Sequence, residues 1–282
     1  MFEQIIINKN KKGSEKVISF NIIYGIIGRQ YMEIISREIN YKNNNQDIVK
    51  TNLLYLTFGS LNEIKEKINN EFVDIVKADP EYDLKPIKSA VKKFLDGKED
   101  KKKYGAVAEF FAHIVLRELG YIQQCLYRNL EENSMKKGFD GLYMLNSSFW
   151  IMESKSAITN KVHKDKIHEA LDSISNSIEG RTKNNPWENA VNHMLCMENG
   201  KRDDNIKTRI KKLSKDYLEN KFYKANEFNL IPVSTLFLTN IQTIDDMVKD
   251  MNELLSNSTY NNIVVVCLDN YIYDEFLKYL EE

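Results

Sequence analysis

Lys136-Lys137-Gly138-Phe139-Asp140-Gly141-Leu142-Tyr143-Met144-Leu145-Asn146-Ser147-Ser148-Phe149-Trp150-Ile151-Met152-Glu153-Ser154-Lys155 is the stretch whose reading decides the fold. Two short apolar runs, residues 139–145 and 149–154, flank the polar triplet Asn146-Ser147-Ser148, which is the signature of a hairpin closed by a tight turn. Strand alternation sends Glu153 and Lys155 to one face and Ser154 to the other, so an acid and a base stand side by side at the end of the second strand. Asp140 opens the first strand between Gly138 and Gly141. Residues without side chains leave room there for a close approach of backbone or ligand, although Gly-Phe-Asp-Gly is also the composition of a plain turn.

Working outward, residues 103–119 carry a helical pattern that Gly120 stops in the position where a left-handed cap is cheapest. Residues 121–127 read as a strand and 129–138 as a polar loop. After the hairpin, Ile167, Leu171, Ile174 and Ile178 recur at helical spacing, so an amphipathic helix follows. Residues 230–238 and 262–268 read as buried strands, each followed by a helix, with 244–255 as the crossover between them. Such units favour parallel pairing, which makes the whole an α/β protein with a mixed sheet. Upstream, strand-like runs at 3–8, 17–24 and 52–57 alternate with helical patterns near 29–37 and 61–76. The one break in composition is residues 96–103, where Gly97 is set among seven charged residues. It divides the expectation into an N-terminal accessory, partner-docking region, 1–97, and a second domain, 98–282.

The chain has 282 residues, 42% of them hydrophobic, which is enough for a sizeable core. Residues 1–12 lack the apolar core and cleavage site of a signal peptide, and no apolar run approaches the roughly 18 residues of a spanning helix. The expectation is a soluble, cytoplasmic protein with no membrane association. Cys125, Cys196 and Cys267 are odd in number and lie in or beside apolar runs, so buried free thiols are expected rather than a disulfide framework. His163 and His168 are five apart with no cysteine near, which disfavours zinc. The formal net charge of −1 gives no whole-molecule argument for nucleic acid. Residues 201–224, in contrast, hold nine Lys and Arg against four Asp and Glu. Lys201, Arg202, Arg209, Lys211 and Lys212 there form a candidate phosphate track, with a solvated helix face as the plain alternative.

The helical run Ala106-Val107-Ala108-Glu109-Phe110-Phe111-Ala112-His113-Ile114-Val115-Leu116 has only two polar residues, Glu109 and His113, one turn apart on one face. A carboxylate in so apolar a helix needs a partner. A metal ion or catalytic cluster would supply one, and so would a solvent stripe or a pairing with His113. The triplet Glu-x-Lys means little alone, since Glu63-Ile64-Lys65 repeats it inside a helical pattern. Position is what raises Glu153-Ser154-Lys155, at the end of a buried strand one hairpin from Asp140. Magnesium takes oxygen ligands and keeps several waters, so two carboxylates and a backbone carbonyl suffice for it. That set would be Asp140, Glu153 and the Ser154 carbonyl, with Glu109 as a further ligand or the group orienting a water. Lys155 would orient and help deprotonate the attacking water or neutralise developing charge, with a pKa lowered by the nearby cation.

At these residues the chain resembles the PD-(D/E)xK nuclease superfamily, whose core runs helix, three strands, helix, strand, with an acid on the first helix, an Asp, and then Glu-x-Lys. More narrowly, Lys137-Gly138-Phe139-Asp140 followed by Glu153-Ser154-Lys155 is similar to the HamA nuclease family of the Hachiman antiphage defence system and its relative AbpA. The likeness covers residues 104–178. Phe139 stands where the superfamily name has Pro. The resemblance implies a restriction-endonuclease-like core, catalysis by Glu109, Asp140, Glu153 and Lys155, Mg2+ or Mn2+ as cofactor, DNA as substrate, and an ATP-dependent helicase partner that restrains a metal-dependent DNA endonuclease. The competing readings are a catalytically silent DNA-binding or scaffolding subunit of a helicase complex, and an unrelated α/β protein in which the motif is chance.

Overall fold

The computed structural model describes residues 16–18, 32, 34–44, 46–79, 81–127, 138–195, 204–237, 242–256 and 258–282. The expected strand at 3–8, most of 17–24, Cys196, Lys201 and Arg202 lie outside the described residues. In chain order the elements are β1 (Lys16–Ile18), β2 (Ile34–Lys42), β3 (Ile48–Phe58), α1 (Leu61–Lys77), α2 (Leu84–Asp96), α3 (Asp100–Glu118), β4 (Ile122–Gln123), β5 (Gly141–Leu145), β6 (Ser148–Ala157), α4 (His163–Ile178), α5 (Pro186–Leu195), α6 (Asp204–Leu218), β7 (Asn229–Leu236), α7 (Ile244–Leu255), β8 (Asn262–Asn270) and α8 (Tyr273–Tyr279).

Among the described residues the strands form one sheet in the order β1-β2-β3-β8-β7-β6-β5-β4. Its four central strands, β3, β8, β7 and β6, are parallel, and an antiparallel pair closes each side. This is the mixed α/β sheet expected, with helices on both faces. One face packs against α1, α2, α3 and α8 through Leu54, Leu56, Met152, Ile231, Val233 and Val266. The other packs against α4, α5, α6 and α7 through Leu53, Ile151, Leu230, Val265 and Cys267. Covered on both sides, β7 is buried along nearly its whole length rather than alternating, as parallel strands are. Gly97 lies between α2 and α3, and strands from both sides of it share the sheet, because β3 pairs with β8.

Several elements differ from the sequence reading. Residues 34–37, read as part of a helical pattern, belong to β2. Its period becomes visible only further on, where Arg37, Ile39 and Tyr41 are buried while Glu38, Asn40 and Lys42 are exposed. The strand expected at 121–127 shrinks to Ile122–Gln123, because the Gln123 amide turns to the carbonyls of Ile75 and Cys125 and the Tyr127 N–H goes to Ile75. The first hairpin strand starts at Gly141, two residues later than expected. Gly138 has φ +148, which breaks the extended run before it, and leaves Asp140 just ahead of the strand. The turn is as read: Asn146 and Ser147 have φ 49 and 63, the two left-handed residues of a type I′ connection.

The start of α4 is fastened to the sheet. His163 is fully buried, its Nδ1 lies 2.9 Å from Ser234 Oγ on β7, its Nε2 lies 3.3 Å from Asp269 Oδ1 on β8, and Gln242 accepts its backbone N–H. The Tyr55 hydroxyl donates to the other oxygen of Asp269 at 2.7 Å.

Candidate active site

Three elements converge on one carboxylate cluster. Helix α3 is apolar because it is buried from Ala106 to Leu116, and Glu109 and His113 are buried with it, at 8% and 0% exposed. Their side chains pair at 3.6 Å, and His113 Nδ1 is hydrogen-bonded to the Tyr143 hydroxyl of β5. At 3.6 Å the Glu109 and His113 side chains adjoin without a hydrogen bond between Oε1 and Nε2, and Glu109 stands in the same cluster as Asp140, whose carboxyl feels its charge. Strand β5 delivers Asp140 from its leading end, where Asp140 Oδ2 accepts the Ser154 backbone N–H at 2.8 Å. Strand β6 delivers Glu153, which is 5% exposed, and Lys155, whose Nζ donates to Glu153 Oε1 at 2.6 Å.

The position of this cluster follows from strand lengths. Gly141 stands opposite Met152, so among the described residues no strand pairs with β6 beyond Met152 on the β5 side. An extended residue directs its N–H and C=O toward the same neighbour, so the Ser154 carbonyl faces the side on which Asp140 stands. Gly141 is required by close packing here. A Cβ at this position would lie 2.8 Å from the Tyr143 ring and 3.1 Å from Met152 Cε, with the His113 ring at 3.5 Å. Gly141→Ala is expected to cost about 1–3 kcal/mol as an overpacking change, measured by denaturant unfolding, because Tyr143, Met152 and His113 are themselves buried.

The electrostatics are those of too many carboxylates in one place. Asp140 retains some exposed surface as a residue, yet its carboxyl is held well above the usual carboxylate range. Burial disfavours its charged form, Glu153 and Glu109 add to that, and Lys155 and the Ser154 N–H partly offset it. Lys155 is held above its ordinary value: burial pulls it down, and Glu153 and Asp140 outweigh burial. The lowering expected from sequence presupposes a bound cation; Glu153 and Asp140 by themselves keep the ammonium charged. An acid with a raised pKa binds more protons folded than unfolded between its unfolded and folded values. Stability should therefore fall as pH rises from the ordinary carboxylate value through that window, and the effect should vanish below it. In a chelator, the melting temperature of the wild type is expected to fall over this range, and Asp140→Asn to flatten the slope and melt a few degrees higher above it.

Ser173 of α4 is a site residue that sequence reading missed. Its hydroxyl donates to Glu153 Oε1 at 2.7 Å. The basic segment is less available than its composition implies. Lys207 and Lys215 of α6 pair with Asp204 and Glu219, and Arg209 lies over the Phe149 ring, 4.5 Å from its centroid, which leaves Lys211 and Lys212 exposed beside it. Cys125 and Cys267 are buried free thiols, as expected. Among the described residues no group of three His, Cys, Asp or Glu side chains is spaced to hold a metal by itself, and no helix is long and apolar enough to cross a membrane.

Fold and site together define an α/β protein with an acid, acid and lysine cluster at the end of a central strand, beyond the point where, among the described residues, β5 pairs with it. The chain belongs to the HamA family, whose model matches residues 61–280. That places it with the Hachiman antiphage defence system, in which the family has a helicase partner. No curated protein matches the chain.

Proposed function

We propose that this chain is a metal-dependent deoxyribonuclease of the PD-(D/E)xK type, the effector of a Hachiman system, hydrolysing phosphodiester bonds under the restraint of its helicase partner. The observation that carries the reading is the convergence of Glu109, Asp140, Glu153 and Lys155 from α3, β5 and β6 onto one cluster. The donor set fits magnesium or manganese: it is all oxygen, and its surplus of negative charge over one ammonium is what a divalent cation would relieve. Asp140, Glu153 and the Ser154 carbonyl would hold the ion. When bound, it would supply Lewis-acid stabilisation of phosphoryl charge and a more acidic water.

The remaining chemistry falls to the chain's own side chains. Lys155, charged and aligned by Glu153, neutralises charge developing on the phosphoryl oxygens. Glu109, whose Oε1 lies 3.6 Å from His113 Nε2, orients the attacking water and accepts its proton. Lys211 and Lys212 track neighbouring phosphates, with Lys201, Arg202 and Arg209. Residues 1–97 dock the partner. A net charge of −1 suits such restraint, because it gives little non-specific attraction to DNA.

The test is manganese-dependent cleavage of DNA by the purified chain, alone and co-purified with the neighbouring helicase. Cleavage should disappear with EDTA, Asp140→Ala should weaken manganese binding in calorimetry, and the two proteins should co-elute. Equal manganese affinity in Asp140→Ala would remove that ligand from the site. Failure to co-elute, with free degradation of host DNA by the lone chain, would end the restraint model.

A further inference from the structure

Glu153 Oε1 has two donors, Lys155 Nζ at 2.6 Å and Ser173 Oγ at 2.7 Å. The first comes from the same strand. The second comes from α4 and is the one side-chain hydrogen bond to Glu153 from outside β6 among the described residues. Because both donors share one oxygen, Oε2 is left without a donor among the described residues. The carboxylate is thereby fixed in rotation, with one oxygen occupied and one open.

Serine is an unexpected choice at this point of a helix. It is a poorer helix former than Ala, and inside helices its hydroxyl commonly turns back to the carbonyl one turn earlier. Ser173 instead reaches across to the strand. The neighbouring Ser175 makes a different bond, to the Tyr260 hydroxyl at 3.0 Å, so serine in α4 does not serve one common end. Helix α4 is itself an anchored arm: His163 holds its first turn to Ser234 and Asp269. Ser234 stands directly beside Lys155 in the register of β6 and β7. One end of α4 is thus tied to the strand next to Lys155, and its middle to Glu153.

We infer that Ser173 is a positioning residue, which holds the Glu153 carboxylate so that its open oxygen is presented to a divalent cation. The inference rests on the metal-site reading above and deepens it by adding a residue from a fourth element. Removing a hydrogen-bond partner of a metal-ligating carboxylate typically lowers metal affinity about 10–100-fold.

The experiment is calorimetric titration of the full chain with manganese chloride, on wild type, Ser173→Ala, Ser173→Thr and Glu153→Gln. Ser173→Ala should bind manganese about 10–100-fold more weakly, and Ser173→Thr, which keeps the hydroxyl, should recover most of the affinity. In chelator, Ser173→Ala should remain folded at the titration temperature by circular dichroism, so a lost fold does not account for the weaker binding. If Ser173→Ala binds as tightly as wild type while Glu153→Gln is weakened, the inference about Ser173 is overturned and the metal-site reading stands. If wild type binds no manganese, or Glu153→Gln binds it equally well, the metal-site reading fails and this inference with it.

Discussion

Glu153→Gln is expected to lower metal-dependent DNA cleavage by about 10³-fold or more, because on the proposed metal-site reading one substitution removes both a ligand charge and the partner that aligns Lys155. Gln keeps the size of Glu and an oxygen that can accept from Ser173, so the fold should survive. Removing one of three crowded carboxylates should even raise the melting temperature in chelator, since the mutual repulsion felt by Asp140 is reduced. Lys155→Met should lose activity to a similar degree. Lys155→Arg should recover little, because a planar guanidinium does not replace a compact ammonium at a single oxygen. The decisive combination is high stability with lost cleavage in single-turnover assays. A Glu153→Gln enzyme that cuts within tenfold of wild type would remove this cluster from the chemistry.

The second large effect concerns the scaffold beneath the site. Phe110 is fully buried and its ring lies 5.0 Å from those of Phe72 and Phe276, 5.7 Å from Phe111 and 5.8 Å from Tyr127. It therefore joins α1, α3 and α8 at one point, adjacent in sequence to Glu109. Phe110→Ala is expected to cost about 3–5 kcal/mol, as buried aromatic deletions do, which for a chain of this size lowers the melting temperature by roughly 10 °C. Below the new transition the site should remain assembled, so cleavage at low temperature should be reduced much less than in Glu153→Gln. Scanning calorimetry and cleavage at two temperatures check both halves. A loss under about 1 kcal/mol would mean that the aromatic cluster repacks freely, contrary to the usual behaviour of close-packed interiors.

Much of the candidate site is legible in the sequence because its residues offend local rules. Glu109 interrupts an apolar helix, Asp140 stands between glycines, and Glu153 and Lys155 end a strand that is otherwise apolar; each such departure is informative. The decoy Glu63-Ile64-Lys65 was separable by period alone, and it does lie in α1. Ser173 offended nothing, since a serine on an amphipathic helix is ordinary, and only its distance to Glu153 reveals it. The misread segment at 34–37 has a different cause. Ile34 and Ile35 sit one after the other, so the first turn's worth of β2 has no alternation, and the strand shows itself only through pairing with β3. The pairing of β3 with β8 joins residues about 210 apart in the chain, and nothing local encodes such a contact.

One arrangement in the fold has the outward form of a hydrolase's charge relay. Ser234, His163 and Asp269 adjoin in the order hydroxyl, imidazole, carboxylate, at 2.9 Å and 3.3 Å, the second approach lacking hydrogen-bond geometry. All three are at most 2% exposed. An acyl donor must touch the serine oxygen, and no substrate reaches an atom walled in by helix and sheet, so the trio is a rivet rather than a nucleophile. Alignment alone, used as a search template, would award this chain an esterase activity at a place with no doorway. The cluster at Asp140 is told apart from it by topology: β5 begins only at Gly141, so among the described residues no strand pairs with β6 beyond Met152 on that side, and Asp140 and Lys155 keep some exposed surface where the buried trio has almost none.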